Sequence, residues 1–268
     1  MTTPPTPPVT SAPADAYAVP APVRRAWVEQ VMGMPISIHL RGDRADTPEG
    51  EESVARAYAV LREMDRIFST YRDDSDLMRL RREEVEVGQV SPLVEQALRI
   101  GERAERDTVG AFTTLLPTGQ GDLAFDPTGL VKGWAVDRAA EALSGLAGTS
   151  ACINAGGDLR IVAAVDLPLE GAGSISWRVG IEDPRDRSQI ASTVSLVRGA
   201  VATSGTAARG AHLYDPRSGE MVGRSGSVTV VGPELLWADV WATALFVGGT
   251  ETAEAFALAA PDYRSTVL

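Results

Sequence analysis

The sequence predicts an α+β fold. Three observations predict it. Apolar residues recur every three to four positions over 51–68, a Ser-Pro start signal opens a further helix, and the second half consists of short β-rich runs that follow one another rather than alternate with helices. In chain order, 27–40 alternates enough for strands, interrupted at Met32-Gly33-Met34-Pro35. Residues 51–68 carry Val54, Tyr58, Leu61, Met64 and Phe68 on one helical face. Ser91-Pro92 opens a helix running to about Arg106, with Ser as the cap and Pro in the first turn. A third helix is expected over 132–146. Strands are expected at 152–153, 159–165, 176–181, 193–196, 200–203 and 227–231, where Gly, Asp and Pro punctuate the runs. Two helices, 238–246 and 251–260, close the chain.

The 268 residues suit one or two domains, and no internal repeat or interdomain linker breaks them. Residues 1–24 hold seven of the 17 prolines and read as a disordered Pro/Ala-rich tail, leaving 25–268 as a single domain. That tail lacks the basic region and apolar run of a secretory signal, and no cysteine near it offers a lipid anchor. No stretch has the apolar length of a membrane span, so a cytoplasmic protein without a stable membrane anchor is expected. A net charge of −11 argues against nucleic acid or anionic lipid as a partner. One cysteine, Cys152, and two histidines, His39 and His212, exclude an intramolecular disulfide and a Cys- or His-rich metal site. Any metal must be held mostly by oxygen, which favours a hard cation such as Mg²⁺. His39 reads as a surface residue, because Ile36 and Ile38 point the other way, and Cys152 as a small buried one.

Five segments can carry chemistry, each with a plain structural alternative. Asn154-Ala-Gly156-Gly157-Asp158 can bring backbone N–H groups against an anionic oxygen, or simply connect two strands. In Asp126–Asp137, Gly129 and Gly133 bracket Lys132 near a helix start, a setting that suits phosphate. The alternative makes Lys132 a solvated first-turn residue and puts Asp137 on the exposed face. Thr203, Ser204 and Gly205 offer hydroxyls beside a glycine, and His212 is either a general base or a strand-end histidine. Asp239 and Thr243, four apart, share a helix face and offer two hard oxygens. Otherwise Asp239 stabilises the helix start and Thr243 bonds back to its carbonyl. Tyr71 can stack on an aromatic ligand or pack on the core.

The order of these motifs is more specific than any one of them. Met32-Gly-Met34, Phe68-Ser-x-Tyr71, Gly110-Ala-Phe112, Thr128-Gly-x-Val131-Lys132-Gly133-x-Ala-x-Asp137, Asn154-Ala-Gly-Gly-Asp158, Ala202-Thr-Ser-Gly205, His212-x-x-Asp-Pro-x-x-Gly219, Ser227–Val231 and Ala238-Asp-x-x-Ala-Thr243 together resemble the ApbE-like family of FAD:protein FMN transferases, over roughly 27–250. The resemblance implies one α+β domain with mixed or antiparallel sheets and flanking helices. It implies FAD as substrate, Mg²⁺ as cofactor, and transfer of FMN to a threonine hydroxyl of a target flavoprotein with release of AMP. The expected partner is an FMN-binding-domain acceptor with a Ser/Thr-Gly-Ala-Thr-type motif.

By that resemblance Asp239 and Thr243 are side-chain Mg²⁺ ligands, with the carbonyl of Val131 as a third oxygen. Asn154, Gly156, Gly157, Asp158, Thr203, Ser204 and Gly205 would line the flavin and diphosphate, and Lys132 would approach the phosphates. Tyr71 would stack on adenine, Asp137 would hydrogen-bond the nucleotide, Met34 would cover a flavin face, and His212 would accept the hydroxyl proton. Two features depart from the family pattern. Val131 replaces the usual Ala, and Thr113-Thr114 follows Phe112 where Asp-Pro is common, leading into a Thr- and Gly-rich loop over 113–122. Two other activities fit the same residues: an Mg²⁺-dependent FAD pyrophosphatase giving FMN and AMP, and a flavin-binding or flavin-delivery protein without turnover.

Overall fold

A computed structural model describes residues 21–118, 122–171, 173–205 and 213–268. The expected tail over 1–24 falls almost wholly outside them.

The chain opens as a hairpin, β1 (Arg24–Val31) and β2 (Met34–Gly42). Its turn residues, Met32 and Gly33, have φ of 56° and 72°, the sign that a two-residue turn needs to match the twist of the strands it joins. Helix α1 (Pro48–Phe68) starts where the Thr47 side chain accepts from the Gly50 N–H, and it buries all five apolar residues that the spacing picks out. The short α2 (Asp76–Arg81) is capped by Ser75. In α3 (Pro92–Asp107) the Ser91 hydroxyl accepts from the Leu93 N–H at 3.3 Å, as the Ser-Pro signal predicts. A small hairpin, β3 (Leu115–Pro117) and β4 (Leu123–Phe125), leads to α4 (Thr128–Glu141).

Helix α4 begins four residues earlier than expected. Asp126 Oδ1 accepts from both the Thr128 N–H (3.0 Å) and its hydroxyl (2.6 Å), and Pro127 precedes the first turn. The start therefore lies at the Asp-Pro pair, which moves Lys132 from the first turn to the second. Lys132 is not a solvated first-turn residue.

The strands that follow are β5 (Thr149–Ala155), β6 (Asp158–Ala163), β7 (Trp177–Asp183), β8 (Asp186–Leu196), β9 (Gly199–Gly205), the short pair β10 (Tyr214–Asp215) and β11 (Glu220–Met221), and β12 (Ser227–Gly232). Helices α5 (Leu235–Val247) and α6 (Thr250–Ala259) and strand β13 (Arg264–Val267) complete the described chain. The main sheet has seven strands in the order β1-β2-β5-β6-β9-β12-β13, and every pairing is antiparallel.

Strand alternation divides the core. Ile36, Ile38, Ile153, Ala155, Ala202 and Val230 turn to one face and pack against α1, α4 and α5. Cys152, Ile161 and Val201 turn to the other face and meet Trp177 and Val179 of the β7–β8 hairpin. His39 belongs to this second face. It is half-buried rather than a surface residue, 3.0 Å from the Ser37 hydroxyl, with its ring edge-on to Trp177. Burial and the nearby Arg41 hold its pKa below the ordinary histidine value. The Cys152 thiol is buried as expected, and burial pushes its pKa up to about 12.

α4 and α5 approach closely. A Cβ on Gly133 would lie 2.8 Å from the Leu235 carbonyl oxygen and 2.9 Å from Leu236 Cα. Only glycine lets the two backbones touch there.

Candidate active site

The site is a cavity of about 990 Å³ at one end of the main sheet. That is near the top of the range for ligand pockets, roughly 300–1,000 Å³. Its lining comes from both faces of the sheet, so the cavity wraps around the β5–β6 turn. Gly156 and Gly157 make that turn with φ of 64° and 101°, and a Cβ on Gly157 would meet nothing within 4 Å. The Asn154 side chain accepts from the Gly157 N–H at 2.9 Å and fixes the turn. The segment is thus both a strand connection and part of the cavity wall.

On the helix side lies a charged cluster. Lys132 from α4 forms ion pairs with Asp158, which opens β6, and with Asp239 of α5, whose Oδ2 is 3.3 Å away. Both carboxylates are buried, and the Lys132 side chain keeps 21% of its surface exposed. Burial opposes the ammonium charge, but Asp239 and Asp158 outweigh it and hold the Lys132 pKa above the ordinary lysine value. Asp158 Oδ1 also accepts from the Thr203 N–H at 2.9 Å, which ties β9 to the cluster. Beside it, the Ser204 and Thr243 hydroxyls lie 2.8 Å apart. Thr243 therefore reaches across to β9 instead of only bonding back along its own helix. Asp239 sits in the second turn of α5 and faces Lys132, not the helix start.

Two buried carboxylates around one ammonium leave a net negative charge, and two hydroxyls stand next to it. That donor set is hard oxygen and fits a divalent cation such as Mg²⁺. Among the described residues no group of three or more His, Cys, Asp or Glu could hold a metal. Main-chain or substrate oxygens would have to complete the coordination.

The cavity also takes in Met34, Val131, Asn154, Gly205 and Tyr71. Tyr71 is 90% exposed at the rim, and its ring packs 3.8 Å from where a Cβ on Gly33 would stand. It is not packed on the core.

The structure does not bring Asp137 to the cavity. Its carboxylate accepts from the Leu235 N–H (3.0 Å) and the Leu236 N–H (2.7 Å) at the start of α5, and it pairs with Arg160 Nε at 2.8 Å. Asp137 is five residues past Lys132, which turns its side chain away from the mouth. Burial lifts its pKa above the ordinary carboxylate value, although both N–H bonds oppose the shift. His212 lies outside the described residues, but Leu213 and Tyr214, which follow it, line the cavity.

Two cavity elements have no clear signal in the sequence. Arg81 of α2 donates from Nε to the Phe125 carbonyl (3.0 Å) and pairs with Asp126 at 2.9 Å. It stands among other arginines, with its partner 45 positions away, so no local pattern marks it. The whole of β7 also lines the cavity, brought there only by the packing of the hairpin on the sheet.

The ApbE family model matches residues 32–117 and 116–265. A protein of Klebsiella pneumoniae (strain 342) named FAD:protein FMN transferase is 31% identical over 143 residues, which is 50% of this chain and 39% of that relative. The chain thus matches about two fifths of the length of that curated relative. A Salmonella typhimurium protein of the same name is 28% identical over 261 residues, covering 78% of this chain and 75% of the relative. The crystal structure of the ApbE protein from Thermotoga maritima superposes with a TM-score of 0.72 at 20% identity, covering 91% of this chain and 94% of that one. The α+β architecture expected from the sequence is therefore also the architecture of solved relatives. Because the family model runs from the first hairpin to the last strand through every segment that builds the cavity, the chain belongs to the ApbE family.

Proposed function

We propose that the protein transfers FMN from FAD to a threonine hydroxyl of an acceptor flavoprotein, forming a phosphoester and releasing AMP. The observation that carries this reading is the convergence in one cavity of Lys132, Asp158 and Asp239 with the Ser204–Thr243 hydroxyl pair and the Gly156-Gly157 turn. With a divalent cation held at its carboxylate and hydroxyl oxygens, such a site suits a diphosphate. Positioning and charge neutralisation supply most of the catalysis in phosphoryl-type transfer. Names of relatives such as the Salmonella protein support the same reaction.

Asp239 and Thr243, with the Val131 carbonyl, would hold Mg²⁺, which supplies polarisation of phosphorus and stabilisation of the leaving phosphate. Lys132 brings a positive charge to the same oxygens, and Asp158 aims it. The Gly156-Gly157 turn presents backbone to the cavity without side chains in the way, and its Gly157 N–H is given to the Asn154 side chain. Tyr71 offers a ring to adenine at the rim, and Met34 a polarisable surface to the flavin. His212, adjacent to the cavity-lining Leu213, accepts the proton of the attacking hydroxyl. General-base help of this kind is typically worth about 10²–10⁴ in rate.

The test is intact mass spectrometry of an FMN-binding acceptor domain bearing a Ser/Thr-Gly-Ala-Thr segment. It is incubated with this protein, FAD and Mg²⁺, beside Asp239→Ala and metal-free controls. A gain of one FMN on threonine, lost in both controls, is expected. AMP and free FMN without gain would make the protein a pyrophosphatase. No FAD turnover with any acceptor would leave a flavin carrier. Full transfer by His212→Ala at neutral pH would overturn the assignment of the base.

A further inference from the structure

We infer that the open edge of β7 is a docking strand for the acceptor polypeptide, whose extended segment pairs with it backbone to backbone on the way to the Lys132–Asp239 cluster. This rests on the transfer reading above.

β7 pairs with β8 in a two-stranded sheet and has no other strand partner among the described residues. Its residues alternate, with Trp177, Val179 and Ile181 buried and Arg178, Gly180 and Glu182 exposed. A strand face presents every second residue to a cavity. Here every residue from Trp177 to Asp183 lines the cavity, whereas β8 contributes only Arg187. The whole length of β7 therefore borders the cavity, and its edge opposite β8 has no strand partner among the described residues.

That edge is prepared for a strand. The stretch Val179-Gly180-Ile181 carries no charge, and the space above Gly180 is filled by the apolar Ile190 side chain of β8, 2.9 Å from where a Cβ would stand. The register shifts of the hairpin fall between Ile181 and Asp183, at the end of this stretch. The charges Glu182, Asp183 and Arg187 gather there, with Glu182 and Arg187 paired at 2.9 Å. Exposed edges are usually guarded by charges, bulges or cover. This one borders a cavity, which shields it from indiscriminate pairing.

The same cavity is lined by Cys152, Asn154 and Leu159, by the Gly156-Gly157 turn, and by Lys132 and Asp239. The transfer requires a side-chain hydroxyl of a folded protein to arrive there. A run of consecutive strand positions along the cavity that holds the cluster matches a polypeptide in extended form. Main-chain hydrogen bonds then supply affinity, and the flanking residues supply selectivity.

The test is amide hydrogen exchange on the full chain in three states: alone, with FAD and Mg²⁺, and with FAD, Mg²⁺ and an FMN-binding acceptor domain. In that domain the acceptor threonine is replaced by valine, so the complex does not turn over. A parallel sample with the unaltered acceptor is weighed by intact mass. Amides of 177–183 are expected to slow about tenfold or more when the acceptor is added to the FAD complex, and to change little with FAD alone. Full protection by FAD alone would assign the edge to the flavin and overturn the proposal. A flavinylated acceptor with no added protection over 177–183 would overturn it while the transfer reading stands. No mass gain on any acceptor would overturn the transfer reading, and this proposal with it.

Discussion

Lys132 Nζ lies 3.3 Å from Asp239 Oδ2, and the same ammonium pairs with Asp158, so one cation from α4 ties α5 to β6. Removing it as Lys132→Met leaves two buried carboxylates facing each other. Breaking a fully buried pair costs about 3–5 kcal/mol. The loss should be smaller here, because 21% of the Lys132 side chain is exposed. We expect a lowered melting temperature that added Mg²⁺ restores by more than it raises the native protein's. Equal Mg²⁺ shifts in both proteins would contradict this electrostatic account.

Gly133→Ala separates α4 from α5. Its Cβ would meet backbone atoms of Leu235 and Leu236 at 2.8–2.9 Å, and backbone cannot swing aside as a side chain can. Overpacking of this kind costs about 1–3 kcal/mol. Because Lys132 is the preceding residue, metal and FAD affinity should fall together with stability. Calorimetric titration beside a denaturation curve checks both.

Asp137 and Tyr71 should divide stability from binding. Asp137→Ala removes the acceptor for two N–H groups of α5 and the partner of Arg160. It should cost at least the roughly 0.5–2 kcal/mol of a lost helix cap. Its FAD affinity should stay within about twofold in refolded protein, because Asp137 does not line the cavity. Tyr71→Ala, at an exposed rim position, should leave the denaturation midpoint unchanged. It should weaken FAD by the about 1–3 kcal/mol typical of base–aromatic stacking. The opposite pattern in either variant would reverse the assignment.

Asp126 gives a pH dependence. Burial alone would raise its pKa, but the Thr128 hydrogen bonds and Arg81 hold it below the ordinary carboxylate value. A lowered folded-state pKa contributes stability above the unfolded value, about pH 4. That contribution disappears as pH falls through the folded-state value. Asp126→Asn should therefore flatten the acid limb of a plot of stability against pH and lower the plateau near neutrality. An unchanged acid limb would show that the Arg81–Asp126 pair carries no linkage.

Local chemistry made much of the fold readable. The five apolar residues of α1, the Ser91-Pro92 start of α3 and the position of every expected strand depend on neighbours a few residues apart. The start of α4 lies ahead of its apolar pattern, because its signal is Asp126 accepting from the Thr128 N–H. The motif order also identified most of the cavity wall, including Lys132, Asp158, Ser204, Asp239 and Thr243.

By itself the sequence determined the longer helices and the main strands, the family, and the set of residues with the right donors. Each of these is written in side-chain type and spacing within a few turns of chain. Helix α2, the short strands β3, β4, β10 and β11 and the final strand β13 are not among the elements it predicts. Only the tertiary structure decided which of those residues meet. Lys132 and Asp137 lie on one helix five residues apart, yet Lys132 enters the cavity beside Asp158 and Asp239 while Asp137 caps α5. Arg81 joins Asp126 across 45 residues, and β7 reaches the cavity because the hairpin packs on the second face of the sheet. The physical reason is that pairing across such separations depends on the strand order and helix crossings, which set distances that local spacing does not encode.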